Sequence, residues 1–459
     1  MAQPAEHDPA EEELYGLTPE DEAPIRAALA AGDSATLKRL AARLHAADLA
    51  DLLSRLEDDE REHLVRALAG AFNPEVLPYL EERVREGVLE AMGAARAAAA
   101  VAELDTDDAL LVVEELDPED RREILAAIPA AERLILEQGL TFPEYSAGRL
   151  MQRELVAVPQ HWNVGLTIDF LRLRADLPED FHTVYVVDPA YRPVGELRLS
   201  RLLRAKRPVP LSALIDSDLS RIPADTDQEE VARVFRRYGL VAAPVVDDGG
   251  RLIGVITVDD VVDVIDEEAE EDMLKLSGVS DASVYDNVWA ISRSRIGWLL
   301  VNLLTAALAA VVIAIFEAAI EAVVALAILM PIVASLGGNA GTQALTVAVR
   351  ALALRELTPA NALRVIRKEL TAGLLNGMIL AVLVGAGAWL WFGQPMIGAV
   401  IALAVTCNLC VAGFAGATIP FAMERAGIDP AVASAVFLTA VTDWVGFFVF
   451  LGLGAWLLL

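Results

Sequence analysis

The sequence predicts a multidomain membrane protein: an N-terminal α-helical superhelix, a tandem α+β module, a connecting helix and an all-α domain of five transmembrane helices. Three observations lead there. Several apolar runs in the second half reach the roughly 20 residues that a helix needs to cross a bilayer. Charge is segregated, because residues 293–459 hold eight Lys or Arg and seven Asp or Glu, which leaves 29 basic and 60 acidic side chains to residues 1–292. Before the apolar half, helical periodicity gives way near Phe142 to short β-branched runs alternating with helical stretches. These features exclude a single soluble globule. They also argue against a nucleic-acid partner, since a net charge of −30 repels phosphates and attracts small cations.

Residues 1–20 have the composition of a disordered acidic leader and lack the basic and apolar regions of a secretory signal, so the first half is expected in the cytoplasm. Residues 21–135, rich in Ala, Leu, Glu and Arg, form the helical domain. Leu56-Glu57-Asp58-Asp59-Glu60-Arg61 returns sixty residues later as Leu116-Asp117-Pro118-Glu119-Asp120-Arg121, each copy opening a helix. That repeat favours short helices stacked as a superhelix over a plain bundle.

Residues 136–206 and 207–272 read as two copies of one α+β unit. In the second copy, Leu219–Pro223 reads as a strand, and Thr226 with Glu229 forms a capping box for a helix reaching Tyr238. Strands at Ala243–Val246 and Leu252–Ile256 flank the turn Asp247-Asp248-Gly249-Gly250, and a helix starts at Val258. In the first copy, Val187-Asp188 and Val194-Gly195 stand 59 residues before Val246-Asp247 and Ile253-Gly254. The pair resembles cystathionine-β-synthase (CBS) domains, which implies a pseudo-symmetric module sensing adenine nucleotides or ions. Gly254, Thr257 and Asp260 match the family's Gly-x-x-Thr-x-x-Asp, so Asp260 would accept hydrogen bonds from ribose and Thr257 would approach a phosphate, as in an ATP site. The first copy departs from that pattern, with Arg198 and Arg201 at the matching positions. Asp260 also reads simply as a carboxylate favoured at a helix N-terminus.

Five spans follow within residues 295–459: Ile296–Phe316, Ala322 to about Val347, Leu370–Phe392, Met396 to about Phe421 and Ala431–Leu457. An odd number puts the termini on opposite sides. With the first half inside, Arg350, Arg355, Arg364, Arg367, Lys368 and Arg425 fall in inner loops and the C-terminus lies outside, as the positive-inside rule requires. Trp298, Trp389, Trp391 and Trp456 lie near span ends as interfacial anchors.

The second span contains Pro331 to Gln343, whose Gly337, Gly338 and Gly341 permit close approach and irregular backbone, while Asn339, Thr342, Gln343 and Thr346 must face protein or water. A tight helix seam and a pore lining fit that segment equally. Asp443, preceded by Thr442, separates the two readings. It stands twelve residues into the last span, and no Lys, Arg or His lies inside any span to pair with it. Either Asp443 is protonated within the bundle or its counter-ion is a permeating cation. A homodimer would bring two such carboxylates to a two-fold axis, a charge and geometry suited to Mg2+, which gives up its waters reluctantly. A monovalent ion would feel half the attraction. Cys407-Asn408-Leu409-Cys410 lacks the further ligands of a zinc site and reads as small-residue packing.

Between the CBS pair and the first span, residues 259–272 carry nine carboxylates and no basic residue: Asp259, Asp260, Asp263, Asp266, Glu267, Glu268, Glu270, Glu271 and Asp272. On a helix most of them crowd one face, where like charges destabilise one another. A solvated helix face is the plain alternative. Residues 273–294 connect this run to the membrane, with a helical stretch over Ser283–Arg295.

The whole chain is similar to the MgtE family of magnesium channels and transporters. The resemblance rests on the Pro331–Gln343 segment with Arg350, on Thr442-Asp443-x-x-Gly446 and on the Thr257–Asp272 acidic run. It implies a homodimer in a prokaryotic inner membrane, whose connecting segment is a plug helix and whose pore lies between the second and fifth spans. Gly338, Asn339, Gln343 and Thr442 would line it, with Asp443 as the selectivity carboxylate. Asp259, Asp260, Asp263, Glu271 and Asp272 would bind regulatory Mg2+. No nucleophile–base pair, phosphate loop or hydrolase motif suggests an enzyme. Two rivals remain at this stage, an ion-coupled secondary transporter of divalent cations and a membrane-anchored CBS nucleotide sensor; the first would call for paired, interrupted helices.

Overall fold

The computed structural model describes residues 16–175, 177–178, 181–279 and 288–459. Most of the predicted leader and residues 280–287 of the predicted connecting stretch lie outside them. The chain forms two compact units, Met1–Asp266 and Glu267–Leu459.

The first unit begins with short helices whose order repeats. Ser34–Ala41, Ala46–Arg55 and Asp58–Leu68 are followed sixty residues on by Ala94–Val101, Thr106–Glu114 and Pro118–Ala127. The legible sequence repeat has a physical cause. Arg61 Nε donates to Leu53 O at 2.9 Å and its Nη2 to Leu56 O at 2.9 Å. Arg121 does the same to Val113 O at 3.0 Å and Leu116 O at 3.1 Å. Each arginine thus satisfies carbonyls left open at the C-terminus of the preceding helix. Leu37, Leu52, Leu53, Leu64, Val112 and Val113 lie in the continuous core of this layer.

The CBS module follows as two three-stranded sheets of identical topology. In the first, β1 (Ala157–Pro159) runs parallel to β2 (Thr183–Val187), which pairs antiparallel with β3 (Pro193–Arg198). In the second, β4 (Ile222–Pro223), β5 (Ala242–Val246) and β6 (Leu252–Thr257) repeat that order. Even the irregularity recurs, between Val186 and Val187 and between Val245 and Val246. Tyr185, Val187, Leu252 and Val255 join the two copies in one buried cluster.

Two local expectations are corrected. The helix Gln228–Tyr238 is capped by Asp227, whose Oδ1 accepts from Glu229 N at 2.9 Å, so the Thr226 capping box does not form. Asp227 wins because its carboxylate reaches the same amide from one position nearer, at the position where a carboxylate also meets the helix dipole. The strand expected over Leu219–Pro223 keeps only Ile222 and Pro223.

The acidic run is helical, as its spacing predicts, within one helix Val258–Leu276. That helix runs through the boundary expected at residue 272. The separate connecting helix expected over 273–294 is distributed otherwise: its start belongs to Val258–Leu276, and residues 288–294 open the first membrane helix, Val288–Ile315.

Among the described residues, the second unit contains five helices long and apolar enough to cross a membrane: Ile291–Ile315, Val324–Ala353, Ala362–Phe392, Pro395–Arg425 and Ala435–Leu458. A short helix, Glu317–Ala322, joins the first two. The fourth span packs against the second, third and fifth, and the first packs against the fifth. Trp389, Trp391 and Trp456 are exposed near the helix ends where anchors are expected. The second span corrects an expectation too. It continues unbroken through Pro331 and the glycines, because hydrocarbon leaves an interrupted backbone without partners. The glycines serve packing instead: a side chain at Gly416 would come within 2.7 Å of Gly341 O.

Replacing Arg61 with Ala is expected to destabilise the helical layer by about 1–3 kcal/mol, the value of a buried donor that leaves carbonyls unpaired. Hydrogen exchange should accelerate in helices Ala46–Arg55 and Asp58–Leu68 while the sheets keep their protection.

Candidate ion pathway and cation sites

Asp443 lies near the middle of the last helix, Pro430–Leu458, partly exposed, and among the described residues it makes no ion pair. Thr442 beside it is fully buried and turns inward, Oγ1 donating to Thr439 O at 3.1 Å. The neighbouring Trp444 ties this helix to the first span through Nε1 to Thr305 O at 3.5 Å.

The polar residues of the second span divide into two sets. Thr342 and Thr346, one turn apart, are exposed and continue a stripe from the partly exposed Gly338, and their hydroxyls bond back to Gly338 O and Thr342 O at 2.9 Å. Asn339 and Gln343 instead line a cavity of about 270 Å³ with Leu336, Asn376, Leu380 and Leu409 of the second, third and fourth spans. Asp443 and Thr442 are not part of that lining. The structure therefore groups Gly338 with Thr342, and Asn339 with Gln343, but does not gather all five expected pore residues around one opening in the single chain. Asn376, in the third span, is a polar lining residue with no distinguishing pattern in the sequence.

The acidic helix presents two separate groups. Asp260 is tied to Thr257, whose Oγ1 donates to Asp260 Oδ2 at 2.7 Å. Burial raises the Asp260 pKa to about 7 despite the Thr257 hydrogen bond, with Asp259 and Asp108 adding to the rise. Asp108 rises to about 6, through burial and then Asp105, with Arg85 opposing. Asp107 is raised by burial and by Asp260. Burial and Asp259 likewise raise Asp263. Asp105, Asp107 and Asp108 thus belong with Asp259, Asp260 and Asp263, yet in the sequence they look like ordinary acids opening the helix Thr106–Glu114. No local pattern pairs positions about 150 residues apart. Gly254, read as part of a nucleotide half-site, is a packing glycine here, since a side chain would come within 2.9 Å of Gln152 O.

The second group sits at the end of the helix. Lys275 Nζ lies 2.5 Å from Glu271 Oε1 and 2.8 Å from Asp429 Oδ2, at the entrance of the last span. Burial works against the ammonium, but those two bonds hold its pKa above the usual lysine range. Asp272 is pushed up by burial and by Asp429. Among the described residues, no three His, Cys, Asp or Glu side chains are assembled into a ready metal cage. The carboxylates nevertheless fit a hard divalent cation: they supply only oxygen, and both groups hold acids that burial and one another drive toward protonation.

A family model described as a divalent cation transporter, MgtE, matches residues 330–453; an MgtE intracellular N domain matches 44–145 and a CBS domain 211–267. The chain is 33% identical over 440 residues to the magnesium transporter MgtE of Thermus thermophilus, covering 95% of this chain and 98% of the relative. It is 29% identical over 407 residues to that of Bacillus subtilis, covering 88% and 90%. A crystal structure of the cytosolic domain of the Mg2+ channel MgtE in complex with ATP matches with a TM-score of 0.50 at 31% identity, covering 53% of this chain and 99% of that one.

Because Asp260 and Asp108 titrate near 7 and 6 when folded and near 3.8 when unfolded, the stability carried by their protonated forms is full below 3.8 and is lost as pH rises through 6 and 7. Without divalent cations, the thermal midpoint of the first unit should fall by several degrees between about pH 5 and pH 8. Mg2+ at the higher pH should restore it, and Asp260→Asn should flatten the profile.

Proposed function

The chain belongs to the MgtE family, and from that premise we propose how it moves Mg2+ across the membrane and how its soluble half controls the flow. The cargo is a hydrated Mg2+ ion. Two chains form a homodimer, and the two Asp443 side chains meet at its axis. The observation that carries this reading is an acid in mid-span without a basic partner among the described residues. Two carboxylates can hydrogen-bond the water shell of a dication without stripping it. The stripe from the partly exposed Gly338 to the exposed Thr342 supplies backbone and hydroxyl oxygens along the same route. The inner loops carry the basic residues, so the first half and the regulatory acids lie in the cytoplasm and the C-terminus lies outside.

Control is electrostatic. When cytosolic Mg2+ is high, ions neutralise Asp107, Asp108, Asp259, Asp260 and Asp263 and hold the helical layer against the CBS module. At the lower end of the helix they compete with Lys275 for Glu271, Asp272 and Asp429. When Mg2+ falls, the carboxylates repel and the gate is released. Several ions acting together can reach the roughly 5.5 kcal/mol that near-complete switching requires. A relative's cytosolic domain was solved with ATP; in this chain Thr257 and Asp260 offer one half-site and Arg198 and Arg201 give the other a different chemistry. A coupled transporter is less well supported, because the second span continues through its glycines.

Asp443→Asn should lower Mg2+ flux into liposomes on the order of tenfold, as about 1.4 kcal/mol lost at the limiting barrier does. Lys275→Ala should let Mg2+ protect the connecting helix from protease at lower concentrations than in the unaltered chain, by freeing two carboxylates from their internal counter-ion.

A further inference from the structure

The fourth span holds one fully buried amide, Asn408, with no exposed surface at all. Its Nδ2 donates to Val333 O of the second span at 3.0 Å, and its Oδ1 has no partner among the described residues. A carbonyl in a helical ladder can accept this second bond through its other lone pair. The amide is seated between two glycines on different helices. A side chain at Gly446 of the fifth span would come within 2.7 Å of it, and one at Gly337 of the second span would collide with it outright.

These neighbours place Asn408 behind the conduction route. Gly337 adjoins Gly338, and Gly446 lies three residues past Asp443. Leucine carries the same number of side-chain heavy atoms in a larger volume and leaves no polar atom unpaired in a bilayer bundle, so the buried amide calls for a reason beyond filling space. The hydrogen bond does something leucine cannot: it ties the fourth span to a fixed carbonyl of the second while the same side chain bears on the fifth.

We propose that Asn408 is a positioning residue for cation selectivity, a spacer that fixes how far the Asp443 backbone stands from the Gly338 stripe. This rests on the reading of Asp443 as the selectivity carboxylate. The spacer touches no ion and lies outside the route, yet a shift of Asp443 alters the fit of a water shell whose size differs between Mg2+ and Ca2+.

The test is the Mg2+ to Ca2+ flux ratio of the full chain in liposomes. Asn408→Leu, which removes the bond and keeps the number of side-chain heavy atoms, should lower the ratio by about threefold or more. Gly446→Ala, which pushes on the spacer from the other side, should lower it likewise. Asn408→Ala, which removes bond and bulk together, should lower it too, and combined with Gly446→Ala should lower it by less than the two single losses added, because both changes act through the same spacer. That shortfall is not expected of general destabilisation, and it decides the matter even if Asn408→Leu fails to fold. Unchanged ratios in the single variants, or purely additive losses in the double, overturn the proposal. Asp443→Asn in the same assay separates the two levels: if it loses selectivity while the spacer variants keep theirs, the spacer is wrong and the carboxylate reading stands; if it keeps selectivity, the carboxylate reading fails first.

Discussion

The structure depends on carboxylates that have no fixed cation to neutralise them. A charge in mid-bilayer is tolerated only with a partner or with water, and Asp443 has no ion-pair partner among the described residues. The same imbalance recurs in the soluble half, where burial lifts Asp260 to about 7 and Asp108 to about 6. The chain offsets it with its own residues where Arg85 opposes the rise at Asp108 and where Lys275 bridges Glu271 and Asp429. Even so, burial pushes such acids toward their protonated forms, which an arriving cation would oppose.

The membrane unit is built so that one helix positions the others. The fourth span contacts the second, third and fifth, and its small residues let the backbones approach where van der Waals packing, rather than hydrophobic exclusion, holds helices together. Its only fully buried polar side chain with a bond to another span, among the described residues, is Asn408. The first span keeps most of its surface open, including Leu299, Leu303 and Leu304, as suits a helix facing lipid or a second copy.

Much of this was legible from the residues. Apolar length marked all five spans, and the 59-residue and sixty-residue spacings marked both repeats, because each copy needs the same turn, bulge or arginine at the same place. What stayed hidden arises from long-range packing. Asp105, Asp107 and Asp108 look like helix-opening acids until the fold brings them to Asp260. Asp429 reads as an N-cap, which it is, Oδ1 accepting from Ala431 N at 2.8 Å, and nothing nearby announces Lys275. Asn408 was masked by its neighbours Cys407 and Cys410, which suggested only packing. The glycines of the second span suggested a broken helix, but the absence of water in a bilayer keeps the ladder whole.

The central claim concerns the ion at Asp443. Diffraction from crystals of the full chain soaked with Mn2+, whose anomalous signal reports its position, tests it directly. The account predicts a peak on the two-fold axis between the two Asp443 carboxylates, about 4–5 Å from each, with water between, well beyond the ~2 Å of direct coordination. An axis without metal, with each Asp443 turned into its own bundle, would contradict it.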